Sequence, residues 1–269
     1  MESKTTGRRM IVFLNGKFID ENDATISITD RGLMIGDGVF DTMLAENGTL
    51  VDISLHHARL ARHGAVMGMA VDTSPLAATA AQLLNRNQFT NGRYAVRTTI
   101  TRGPGARGLA APENPALTVI MRATPAPSSA IRPPRLITVQ NVRRNEGSPL
   151  SRIKSIQYGD SMLALMVAQN AGADDALMLN NAGNVACAST SNIYILRDDE
   201  WLTPRLEDGA MDGITRSRLI AAGAVREARI TAAMLLNCDA AALSNSIAGI
   251  RPVEKLDGRT LDCTHVPRT

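Results

Sequence analysis

The chain has 269 residues, of which 44% are hydrophobic and 20% charged, and a formal net charge of +3. This balance fits one large folded domain or two smaller ones and excludes a disordered chain. The charge is too small to argue for a nucleic-acid partner, and no apolar run is long enough to span a bilayer. 

The polar start, residues 1–9, reads as a disordered leader without a signal-type apolar segment. Met10 to Leu14 reads as a strand, Asn15-Gly16 as a hairpin turn and Lys17 to Ile19 as the returning strand. Leu55 to Met69 reads as a helix capped by Ser54, with Leu55, Leu60 and Val66 on its buried stripe. Ser74-Pro75 opens a second helix that carries Leu83 and Leu84. Tyr94 to Ile100 alternates as a strand with one face more exposed, and Ala116 to Met121 forms another. Thr124 to Ser129, rich in proline and serine, discourages both helix and sheet. Further strands are expected at Leu136–Val139, Ala176–Leu179, Asn192–Leu196 and Ala240–Leu243. A helix capped by Asp160 runs to Ala171 and stops at Gly172, and another starts near Ile214. The boundaries follow as 10–123 for a small N-terminal domain, 124–131 for a linker and 132–269 for a larger C-terminal domain. Strands and helices on both sides of the linker make this an α/β (mixed α+β) protein. Cys187, Cys238 and Cys263 show no metal-type spacing, so no metal site is expected and a reduced, cytoplasmic setting is the simpler reading.

Four local features carry chemistry beside an ordinary reading. Gly213-Ile214-Thr215-Arg216 opens a helix, where exposed amides and a hydroxyl suit a phosphate, or where a glycine merely precedes a helix. Ser244-Asn245-Ser246 offers hydroxyls in a turn. Arg102 to Gly108 is a glycine-rich loop with two guanidinium groups suited to an anion, or simply a solvated loop. Lys154 lies between Ile153 and Ile156; a desolvated amine attacks carbonyls, whereas most such lysines extend to water.

Taken in order, these segments resemble the class IV aminotransferases, the pyridoxal 5′-phosphate (PLP) enzymes of fold type IV. The resemblance runs through Asp30-Arg31-Gly32, Gly36-Asp37-Gly38-Val39-Phe40 and His56-His57-Ala58-Arg59-Leu60. It continues through Ile153-Lys154-Ser155, Gly172 to Ala176, Ser191 to Tyr194, Gly213 to Arg216, Ser244 to Ser246 and Gly249 to Val253. It implies two domains with PLP in the cleft between them, a homodimer, and a small amino-group substrate bearing a carboxylate. Carried over by position, Lys154 is the lysine that forms the internal aldimine and moves protons. Arg59, Ile214, Thr215 and Ser246 match the phosphate donors, and Tyr158 the ring-hydroxyl partner, at a different spacing. Phe40 and Arg107 fall at substrate positions.

One position departs from the family. Cys187 stands where a glutamate neighbours the pyridine nitrogen, which implies a weaker electron sink and an enzyme that is slow, altered in reaction or no longer catalytic. The loop Arg102 to Leu109 and the segment Ser244 to Val253 look most like aminodeoxychorismate lyases, which release pyruvate and leave 4-aminobenzoate. Amino-acid transamination, of branched-chain or D-amino-acid type, is the alternative. Phe40 in place of a tyrosine and Leu109 in place of a histidine count against the D-specific type.

Overall fold

The computed structural model describes residues 9–128 and 132–268, and the chain divides into two units, Met1–Ala126 and Pro127–Thr269. Residues 1–8 of the expected leader and 129–131 of the expected linker lie outside the described residues.

The first unit opens with a hairpin, β1 (Ile11–Leu14) and β2 (Lys17–Asp20). Asn15 and Gly16 between them have φ of 48° and 88°. A two-residue turn whose twist matches the strands needs positive φ at both positions, and this pair supplies it. Then follow α1 (Arg31–Ile35), β3 (Gly38–Glu46), β4 (Thr49–Leu50), α2 (Ile53–Val66), α3 (Leu76–Arg86), β5 (Arg93–Thr101) and β6 (Thr118–Pro125). The strands form one six-stranded sheet in the order β2-β1-β6-β5-β3-β4. On β5, Val96, Thr98 and Ile100 are buried while Arg97 is exposed, which is the expected alternation. Strand β6 runs past Met121 to Pro125; a proline is tolerated there because it is the last residue of the strand.

Helix α2 corrects two expectations. Its cap is Asp52, in the left-handed region at φ 54°, rather than Ser54. Its buried face is His56, Arg59, Leu60, His63 and Gly64, whereas Leu55 and Val66 are exposed. The helix packs on β3, and β3 buries an aspartate there, so polar side chains take the place of an aliphatic stripe. Helix α3 packs on β1 and β6 and buries Leu83 and Leu84 completely, each contributing about 1.5–3 kcal/mol.

The second unit contains β7 (Arg135–Arg144), α4 (Gly159–Asn170), β8 (Asp175–Asn180), β9 (Val185–Ala188), β10 (Asn192–Arg197) and β11 (Glu200–Pro204). It continues with α5 (Ile214–Ala221), β12 (Arg226–Ala228), α6 (Ala232–Leu236), β13 (Ala240–Asn245), β14 (Gly249–Pro252), β15 (Lys255–Leu256) and β16 (Arg259–Thr260). Two five-stranded sheets result, ordered β16-β15-β7-β8-β9 and β12-β11-β10-β13-β14. Strands β7 and β8 are parallel, and α4 makes the crossover that a parallel pair requires. This helix lays small residues, Ser161, Ala164 and Ala168, against the sheet. Tyr158 occupies its cap and Asp160 falls in its first turn; Gly172, at φ 77°, follows its end. The chain passes from β9 in one sheet to β10 in the other through Ser189, Thr190 and Ser191 alone. Leu177, Leu179, Ile193, Ile195 and Leu243 from both sheets share one aliphatic core beneath that crossing.

Candidate active site

Lys154 lies in the connection from β7 to α4. A short turn at Pro149–Arg152 and the buried Ile153 and Ser155 fix its backbone, leaving the side chain half-buried. Its Nζ donates to Tyr158 Oη at 3.4 Å. Tyr158 in turn lines a pocket with Arg144, Ser161, Cys187, Asn192 and Met211.

Cys187 sits on β9 opposite Met178 and is buried. Burial pushes its thiol up, and the nearby Arg144 guanidinium opposes this only in part. The thiol is therefore neutral near pH 7. Arg144 is committed to the backbone: it donates to the carbonyls of Ser151 and Gly209. It thus ties the end of β7 to the segment before α5.

Asn192 connects this pocket to the start of α5. Its Nδ2 donates to the Met211 carbonyl at 2.9 Å. Its Oδ1 lies 2.0 Å from where a Cβ on Gly213 would stand, so any larger residue there would collide with the carboxamide. Gly213 caps α5 without a side-chain hydrogen bond, and Ile214 and Thr215 form the first turn. The neighbouring Ser191 Oγ accepts from Asn245 Nδ2 at 3.2 Å. Asn245 Oδ1 accepts from the amides of Ile247 and Ala248 at 3.0 and 2.8 Å, which closes the β13–β14 tip around Ser246. Hydrogen bonds thus join Lys154 to Tyr158, Asn192 to the segment before α5 and Ser191 to the segment holding Ser246, and Tyr158, Cys187, Ser191 and Asn192 line one pocket. Two carboxylates stand close by among the described residues: Asp212, whose Oδ1 accepts from Ser217 Oγ, and the buried Asp175 on β8, which accepts from Ser189 Oγ.

The first unit carries the other expected site residues. Arg59 is buried on α2, and its Nε and Nη2 donate to Asp41 Oδ2 and Oδ1 at 2.9 and 2.7 Å. His56 Nδ1 meets the same carboxylate at 2.8 Å. Burial alone would raise the Asp41 carboxyl, but the hydrogen bonds and charges of His56 and Arg59 outweigh it and hold the group far below the usual carboxylate range. Phe40 is buried beside Asp41 on β3, with the Arg97 guanidinium 3.7 Å from its ring centroid. Arg107 is exposed on the β5–β6 loop. Arg31 pins that loop: its guanidinium donates to the carbonyls of Gly108, Leu109 and Ala110 at 3.0–3.1 Å and to Asp37 at 2.8 Å. Arg102 reaches the same Asp37 oxygen at 2.7 Å.

Sequence reasoning missed Asp41, His56, Arg144 and the roles of Asn192 and Asn245. An aspartate inside the run Val39 to Ala45 was the available signal for Asp41, since a charge in a buried strand needs a partner. Asn192 and Asn245 act over 19 and 54 residues of chain and left no local trace.

The amino-transferase class IV family model matches residues 38–256. A provisionally named branched-chain-amino-acid aminotransferase of Methanocaldococcus jannaschii is 33% identical, covering 94% of this chain and 90% of its own length. An aminodeoxychorismate lyase of Bacillus subtilis is 26% identical, covering 92% and 87%. The crystal structure of a branched-chain aminotransferase from Thermoproteus uzoniensis, with norvaline, superposes with a TM-score of 0.88 at 26% identity, covering 95% of this chain and 90% of that one. The chain belongs to the class IV aminotransferases, a family of PLP enzymes.

Proposed function

We propose that the chain is a lyase of the aminodeoxychorismate type, releasing pyruvate from 4-amino-4-deoxychorismate and leaving 4-aminobenzoate, with Lys154 as its catalytic base. The donor set of the second unit fits PLP. Lys154 offers an amine to an aldehyde, and the α5 start, without a side-chain cap, and the Ser246 hydroxyl suit a dianion. When bound, the cofactor supplies an electron sink for a carbon that is losing a proton.

Lys154 then takes the proton from the substrate carbon that bears nitrogen, and Tyr158 Oη keeps the amine in place between proton transfers. Arg107, on a loop that Arg31 holds fixed, suits a substrate carboxylate. Arg59 and Phe40 belong to this reading by their motif positions. A homodimer goes with it, supported by the exposed Ile28, Leu33 and Met34.

The choice of reaction rests on Cys187. By its motif position Cys187, a neutral thiol with the Arg144 guanidinium nearby, is the ring nitrogen's neighbour, and the described residues lining that pocket include no carboxylate. A poor sink favours a substrate that drives its own proton loss. In aminodeoxychorismate, breaking the C–O bond to the enolpyruvyl group aromatises the ring. Amino-acid transamination has no such assistance and is the second reading, favoured by the 33% likeness to the M. jannaschii protein.

Incubation with aminodeoxychorismate tests the choice. Equal amounts of 4-aminobenzoate, read by fluorescence, and of pyruvate, read by a coupled dehydrogenase, are expected. No release of either, together with a new amino acid formed from an amino acid and a keto acid, would replace the lyase by the transaminase.

A further inference from the structure

In the second unit the carboxamides of Asn245 and Asn192 hold the two segments that carry the expected phosphate donors. Asn245 uses its oxygen to accept from the Ile247 and Ala248 amides, and its nitrogen to reach Ser191. The first pair of bonds closes the hairpin tip, so that Ser246 projects from a defined turn. The third bond ties that tip to the crossing between the two sheets. Asn192, the residue after Ser191, does the same for the other segment. It holds the Met211 carbonyl and fills the space beside Gly213, fixing the direction in which α5 begins. Residues 191 and 192 thus register two donor segments, 245–248 and 211–215, against each other.

We propose that Asn245 and Asn192 are positioning residues that set the spacing of an oxyanion-binding cradle between the Ser246 hydroxyl and the first turn of α5. This rests on the reading of Ser246, Ile214 and Thr215 as phosphate donors. A phosphate bound by several donors loses affinity steeply when they move apart, because each charge-assisted bond depends on distance and angle. Neither asparagine touches the ligand in this arrangement. Each acts through the segment it holds.

The test compares PLP with pyridoxal, which keeps the aldehyde and lacks the phosphate. Both are titrated into cofactor-free protein and followed by absorbance. Asn245→Ala is expected to raise the PLP dissociation constant about tenfold while leaving that of pyridoxal within twofold of the parent. Asn192→Ala should do the same. Ser246→Ala is the direct-donor control, and adding Asn245→Ala to it should weaken PLP binding by much less than tenfold.

Equal losses for PLP and pyridoxal in the asparagine variants would show a general structural role and overturn the proposal. An unchanged PLP-to-pyridoxal ratio in Asn245→Ala, with a raised one in Ser246→Ala, would also overturn it while leaving the phosphate reading intact. An unchanged ratio in Ser246→Ala itself, together with a Thr215→Ala variant that behaves likewise, would sink the phosphate reading instead. Ser191→Ala, which removes one acceptor and leaves the tip's own bonds, should give the same signature at about threefold. It decides the matter if Asn245→Ala fails to fold.

Discussion

Polar groups around the expected site residues are handled differently in the two units, although the second unit also pairs buried charges away from that pocket, Arg216 with Glu227 and Asp208 with Arg229. In the first, charges come in closed sets: Asp41 with His56 and Arg59, and Asp37 with Arg31 and Arg102. In the second, the pocket around Tyr158 is lined by hydroxyls, amides, a thiol and one guanidinium that is already bonded to carbonyls. A closed set of charges neutralises itself and is suited to holding backbone and helix in register. Neutral donors and one guanidinium around a lysine suit an anionic ligand. The first arrangement secures geometry, and the second awaits chemistry.

That contrast is broken most severely at Lys154. Lys154→Ala should abolish the borohydride-trapped cofactor adduct and lower turnover by about a thousandfold or more, while thermal unfolding of the cofactor-free protein stays near the parent value. A trapped adduct surviving in the variant would remove Lys154 from the centre of the site.

Asp41→Asn opens a closed set and should act on stability. It leaves Arg59 buried without its carboxylate, which costs about 3–5 kcal/mol, measurable by denaturant unfolding. The pH dependence has a definite sign. The folded-state Asp41 carboxyl lies below its unfolded value near 4, so its contribution is fully present above about pH 4 and is lost as pH falls through the depressed folded value. Unfolding of the parent should therefore ease progressively below about pH 4, and the variant should show a flatter profile over the same range.

Cys187→Glu places an anion in a pocket whose described lining holds the Arg144 guanidinium and no carboxylate. The variant should shift the cofactor absorbance and speed amino-acid half-reactions about tenfold, because an anion would hold the ring nitrogen protonated. An unchanged spectrum and rate would separate Cys187 from the ring. Arg31→Lys is the mildest test. Losing the fork across three carbonyls should raise KM for a carboxylate substrate a few-fold with kcat nearly constant, and should raise amide exchange at 108–110. A fall in kcat alone would place Arg31's influence elsewhere.

Part of this is legible in the sequence itself. Asn15-Gly16 announced its hairpin because few other pairs accept two positive φ angles. Lys154 and Tyr158 are only four residues apart, yet the resemblance assigns Tyr158 to the ring hydroxyl and not to the lysine. Helix α2 misled because its buried face is polar: the hydrophobic periodicity pointed to Leu55 and Val66, while the partner that draws His56 and Arg59 inward lies on a strand 15 and 18 residues earlier. The cap failed for a related reason. Asp52 enters the helix from a left-handed conformation, which its residue type tolerates without advertising. The Asn192 and Asn245 bonds escaped because carboxamides shaping backbone far along the chain carry no periodic signature.

The crossing from β9 to β10 has a further consequence. Three residues carry the chain between sheets, with Cys187 and Ala188 just before them and Asn192 just after. An added residue in this stretch would have to bulge from the crossing or slip the pairing of β10 by one, which would turn its side chains to the opposite face and shift both donor segments. Exchange of one side chain for another costs far less. Substitution at this bridge is therefore better tolerated than added length, which the exposed loops accommodate instead.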